Sequence, residues 1–188
     1  MMGALRLAIC CPALNPFHLG RGVRRDLVPP KTSPTIWSLG SDIALPYDLA
    51  WLHFDGITDD SREVRPLDVS LAYNAPKGSA TIYVYGTCAP DDAAATAAEA
   101  ERAAAIAISM SPDAKTPWPF GQRGPFYGRF FLAGDTIGFS GVSAKGGRFI
   151  KVRFTFDYHL SGDPEMAGHC LHAICNAIEG QQTSWTGA

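Results

Sequence analysis

Residues 67–85 read LDVSLAYNAPKGSATIYVY, and their alternation decides the fold class. Leu67, Val69, Leu71 and Tyr73 take every second place, with Asp68, Ser70 and Ala72 between them. Ala80, Ile82 and Val84 alternate in the same way with Thr81, Tyr83 and Tyr85. A side-chain period of two is that of a strand with one buried face. Pro66 precedes the first run, and Asn74-Ala75-Pro76-Lys77-Gly78 between the two supplies residues suited to a tight turn. The segment therefore predicts an antiparallel hairpin.

The same period recurs further along. Ile137 and Phe139 alternate with Thr136, Gly138 and Ser140, and Ile150, Val152, Phe154 and Phe156 alternate with Lys151, Arg153 and Thr155. The link Ala144-Lys145-Gly146-Gly147 has glycine-rich hairpin chemistry. Tyr127 to Leu132 predicts a partner strand joined through Ala133-Gly134-Asp135, and Trp51 to Ile57 predicts an edge strand.

Two segments have the marks of helices. After Pro90-Asp91-Asp92, ten of the fifteen residues from Ala93 to Ala107 are alanine, which gives high helix propensity. An aspartate there caps free amides at the positive end of the helix dipole. The larger apolar groups Ile106, Ile108 and Met110 come only at the end, before Pro112, and an alanine-faced helix can lie close against a sheet. The second helix has Asp163 as N-cap, Pro164 in its first turn and Gly180 past its end. At 100° per residue, Ala167, Cys170, Leu171, Ile174 and Ile178 form one stripe, which should face the sheet. The fold class expected is α+β, an antiparallel sheet of about five to six strands covered by helices.

Composition narrows the function classes. The chain has 188 residues, 46% hydrophobic, 11% aromatic and 18% charged, which excludes disordered, collagenous and coiled-coil classes. A net charge of −2 argues against nucleic-acid binding through general electrostatics. No run of about 18 apolar residues exists, so no transmembrane helix is expected. Residues 1–34 are expected to be a flexible or processed N-terminal segment, 35–180 a single α+β domain, and 181–188 a polar tail. The apolar run Leu7–Cys11 is shorter than the roughly 7–15 residues of a signal h-region. Leu7-Ala8-Ile9-Cys10 matches a lipoprotein cleavage box only in part, Ile9 standing where a small residue belongs. Localisation accordingly has two readings: periplasmic or exported if the start is truncated, otherwise cytoplasmic.

Motifs for chemistry are sparse. There is no Gly-x-Ser-x-Gly elbow, no Ser-x-x-Lys, no dinucleotide or phosphate loop, and no Cys-x-x-Cys among Cys10, Cys11, Cys88, Cys170 and Cys175. Asp55, Asp59, Asp60 and Glu63 lack calcium-loop spacing and have Arg62 and Arg65 among them, which reads as a solvated turn. Glu165, His169, His172 and Asn176 fall within one narrow helical arc opposite the apolar stripe. Imidazole and carboxylate groups so placed could hold zinc, with a solvated polar face as the plainer reading. The connection Ser111–Pro125 carries Pro112, Pro117, Pro119 and Pro125 with Trp118 and Phe120. Loops of this length without secondary structure are often functional. Trp118, Phe120, Arg123 and Phe126 are the candidate contacts for a protein partner. The competing reading has the rings completing the core over a sheet edge.

One resemblance accompanies these readings. Phe54-Asp55-Gly56-Ile57-Thr58-Asp59-Asp60, then Pro66 to Tyr73 and Ala80 to Tyr85, resemble small bacterial proteins of unknown function that are often exported. Gly147-Arg148-Phe149-Ile150-Lys151-Val152-Arg153 is similar to their closing strand. The resemblance covers about residues 50–180 and implies a fold like the α/β/α sandwich of the photosystem extrinsic subunit PsbP, without an enzymatic site. The function expected is a non-enzymatic accessory or binding domain acting through protein–protein contacts, with no cofactor. The alternative is a metal-binding protein or metal-assisted enzyme using Glu165, His169 and His172, with zinc as its metal.

Overall fold

The computed structural model describes residues 35–39, 43–59, 68–86, 92–111, 113–157 and 164–179. Strands β1 (Thr35–Leu39) and β2 (Ile43–Pro46) pair antiparallel as a separate ribbon. Strands β3 (Asp48–Leu49), β4 (Leu52–Asp59), β5 (Val69–Ala75), β6 (Gly78–Tyr85), β7 (Gly121–Arg123), β8 (Phe126–Ala133), β9 (Thr136–Lys145) and β10 (Arg148–Asp157) form an eight-stranded sheet. Its spatial order is β3-β4-β5-β6-β10-β9-β8-β7, antiparallel at every pairing. Helices α1 (Ala93–Ser109) and α2 (Pro164–Glu179) complete an α+β fold.

Both sequence hairpins are present. Ala75 faces Gly78 across a Pro76-Lys77 turn. Lys145 faces Arg148 across Gly146-Gly147, whose φ angles of 60° and 72° lie in the left-handed region that glycine adopts without a Cβ clash. The strand count exceeds the expected five to six, because β3 and β7 span only two and three residues and carry no readable period. Trp51–Ile57 was expected to be an edge strand; β4 instead lies one place in, since β3 caps it through the pair Leu49–Leu52. The Ala50-Trp51 turn between them puts Ala50 at φ 55°, a position where glycine or asparagine would have signalled a hairpin.

Alternation along the strands sorts the core into two layers. Val69, Leu71, Tyr73, Ile82, Val84, Phe139, Val152, Phe154 and Phe156 gather in one large cluster with Ala167, Cys170, Leu171, Ile174 and Ile178 of α2. The expected α2 stripe is thus the buried one. On the opposite face, Val142 packs with Ala100 and Ala103 of α1, and Phe131 and Ala133 pack with Ala107. The inward face of α1 is Thr96, Ala100, Ala103, Ala104 and Ala107, all small, so the helix lies close over β8 and β9. Asp92 caps α1 by accepting from the Ala95 amide at 2.8 Å. Strand β9 is buried on both faces from Ile137 to Val142, and its small residues Gly138 and Gly141 lie beneath the rings of Phe131 and Phe139.

Helix α2 lies against β2 and β3 and touches β9. It has no basic residue in its last turn; instead Lys145, at the end of β9, donates its ammonium to the Ile178 carbonyl. That places a cation at the negative end of the helix dipole. No helix among the described residues is long and apolar enough to cross a membrane. The N-terminal segment 1–34, Asp60, Glu63, Cys10, Cys11, Cys88, Asp163, Gly180 and the tail 181–188 lie outside the described residues.

Candidate binding recess

The Ser111–Pro125 connection is an interrupted edge strand. Lys115 exchanges two backbone hydrogen bonds of 2.7 Å with Leu132 near one end of β8, and β7 pairs with the other end through Gln122–Tyr127. The chain between them, stiffened by Pro117 and Pro119, arches over the rim of the sheet. Its two aromatic rings go to opposite faces. Trp118 joins the α2-side core, edge-on to Phe130 with centroids 6.1 Å apart. Phe120 joins the α1-side cluster of Ala100, Ala103 and Val142, with the Arg129 guanidinium 6.0 Å from its ring centroid.

The remaining loop candidates part company. Arg123 is half-buried and donates to the Gln122 carbonyl at 2.8 Å. Phe126 is fully buried in the main core, where a partner has no access to it. Trp118, Phe120, Arg123 and Phe126 therefore do not form one patch.

Phe120 does close a concavity. A recess of about 220 Å³ lies between α1 and the rim, lined by Glu101, Ala104, Ala105, Ile108, Phe120 and Arg129. Its cause is local: alanines 104 and 105 leave the helix flank hollow, while Ile108 and Phe120 stand at its sides. Glu101 and Arg129 supply opposite charges at the lining, and among the described residues neither has an ion-pair partner. Arg129 and the α1 residues went unread in the sequence. The period of two in β8 carried the signal, since it puts Arg129 on the same face as Tyr127 and Phe131, toward α1.

The other flank of α1 carries a polar ledge. Arg102 grips Glu99 through two hydrogen bonds, Nε to Oε2 at 2.7 Å and Nη2 to Oε1 at 2.5 Å. The Tyr85 hydroxyl donates to Glu99 Oε1 as well. The Arg102 hydrogen bonds hold the Glu99 carboxyl below the usual glutamate range, against the opposing effect of burial. Burial first, and the glutamate acceptor second, push the Tyr85 phenol up. Lys151 Nζ sits 3.9 Å from the Tyr83 ring centroid and 5.6 Å from that of Tyr85.

On α2, His169 and His172 are exposed, and His172 Nε2 is 3.1 Å from Asn176 Nδ2. The Glu165 side chain lies outside the described residues. Asn176 does not share the exposed face expected of it. It is buried together with Cys175, because the last turns of α2 are enclosed on more than the apolar stripe. Among the described residues, no three histidine, cysteine or acidic groups come together as a metal would require. Cys170 and Cys175 are free, buried thiols. Burial raises both, Cys175 to about 11 with the Glu179 charge adding to it, so neither offers a thiolate near neutrality.

Comparison with protein-family models, with curated proteins and with solved structures finds no match.

Proposed function

We propose that this chain is a non-enzymatic accessory or binding domain that acts through protein–protein contact, its recess receiving an apolar side chain of the partner. The recess itself carries the reading: about 220 Å³, with Ile108 and Phe120 as apolar walls and Glu101 and Arg129 as polar groups. Small-molecule sites run to about 300–1,000 Å³, so this hollow suits a side chain better than a free substrate. A half-buried aromatic beside small, rigid helix positions is the pattern of an interface anchor site. The finer fold reading, a PsbP-like α/β/α sandwich, belongs with this proposal. Its support is a helix on each face of an antiparallel sheet.

The test places a photocrosslinking amino acid at Ala105, in the recess, with Ile106, exposed on the other flank of the same helix, as control. The expected result is one defined protein adduct from Ala105 that is absent from Ile106 and lost on Phe120→Ala. No adduct, or the same adducts from both positions, overturns the reading. Thermal melting of Phe120→Ala shows that adduct loss is not unfolding.

A further inference from the structure

Beneath the C-terminal end of α1 lies a buried cation in search of an acceptor. Arg153 projects from β10 toward α1, in register between Thr81 and Ser140 of the neighbouring strands. It is 8% exposed, and its Nη2 is buried with no hydrogen-bond partner. Among the described residues no carboxylate lies within ion-pair distance of it. Its Nη1 donates at 3.5 Å to the Sδ of Met110, the C-cap residue of α1. A thioether is a weak acceptor, so a buried guanidinium gains little from this contact, and an unsatisfied buried donor is costly. Met110 is itself 50% exposed, so the residue that touches the hidden cation is also open to solvent.

We propose that Met110 is a site of oxidation by peroxide whose sulfoxide is held in place by Arg153. A peroxide reaches the exposed side chain. The sulfur lone pair attacks one peroxide oxygen, an S–O bond forms, and the O–O bond breaks. The sulfur loses two electrons, and the proton of the transferred oxygen passes to the other oxygen, which leaves as water or an alcohol. The product oxygen carries a partial negative charge and is a strong acceptor. It lies on the sulfur that already faces the guanidinium and can take up the bond that Nη2 lacks. Oxidation of a packed methionine normally disrupts its surroundings; at Met110 the polarity gained is the polarity that Arg153 requires.

The experiment treats the folded protein with dilute hydrogen peroxide, maps oxidation by peptide mass and records thermal melting. Wild type is expected to be oxidised at Met110 and to melt about 3–12 °C higher afterwards, the scale of one hydrogen bond to a charged group in a chain of this size. Met110→Leu should show no such rise, which separates Met110 from the other methionines. Oxidised Arg153→Leu should melt below its unoxidised form, since the sulfoxide then has no donor. Met110→Gln, which carries a fixed acceptor oxygen, should melt above Met110→Leu, and this pair decides the matter if Arg153→Leu does not fold. An unmodified Met110 in the folded protein, an equal fall on oxidation with and without Arg153, or a Met110→Gln less stable than Met110→Leu overturns the proposal.

Discussion

Replacing Gly128 by alanine would drive a methyl group into backbone. Gly128 in β8 lies directly opposite Gly141 in β9, and the Phe139 ring crosses both. A Cβ added at Gly128 meets the Ser140 carbonyl oxygen at 2.5 Å, the Gly141 Cα at 2.7 Å and Phe139 Cζ at 2.8 Å. The ring can turn, but the two nearest atoms are backbone of a strand paired on both sides, so relief requires β8 and β9 to part. Overpacking of a core costs about 1–3 kcal/mol, and backbone obstruction puts this case at the upper end, near 3 kcal/mol. At about 2–4 °C per kcal/mol for a chain of this length, Gly128→Ala should melt about 6–12 °C below wild type. Gly168→Ala is the control: nothing lies within 4 Å of its added Cβ, and it sits inside α2. Alanine there should add about 0.5–1 kcal/mol, or about 1–4 °C. Scanning calorimetry on both variants is the assay. A Gly128→Ala melting temperature within about 2 °C of wild type would refute the close pairing of β8 with β9.

Two further expectations concern charge. The Glu99 carboxyl is held low by Arg102, so its contribution is present above the ordinary carboxylate range and is lost as pH falls through that range. Tyr85 is raised, so its contribution is present below the ordinary tyrosine pKa of 10.0 and is lost as pH rises beyond it. Glu99→Gln should therefore flatten both the acid and the alkaline limb of a melting-temperature profile, and an unchanged profile would count against the ledge. Lys145→Met removes the cation from the end of α2 and should cost about 0.3–1 kcal/mol, read as faster amide exchange confined to the last turn of the helix. Unchanged exchange there would show that the Ile178 contact does not hold that turn.

Much of the sheet could be read from side chains, because β5, β6 and β10 put apolar groups on one face at every second residue, as Ile137 and Phe139 do in β9. What escaped had a physical reason. β3 is too short for a period, and its turn puts Ala50 where a glycine would have announced it. β7 is Gly-Gln-Arg, paired through its backbone with no apolar side chain to mark it. Along β9 from Ile137 to Ser143 the burial is continuous rather than alternating, because α1 covers one face and the aromatic core the other. The loop was legible as a special segment from its prolines and rings. That Trp118 and Phe120 part to opposite faces depends on the Lys115–Leu132 bridge, a pairing between residues distant in sequence. The recess needed that pairing too, since it joins an alanine flank of α1 to one arginine of β8.

The two rims of the sheet have a consequence for how copies of this protein meet. Among the described residues β3 offers two residues and β7 three, so the outermost strand at either border presents only a short row of amides and carbonyls to a neighbouring chain. Strand-by-strand accretion, the route by which open sheets polymerise, therefore has little to start from on these two strands themselves.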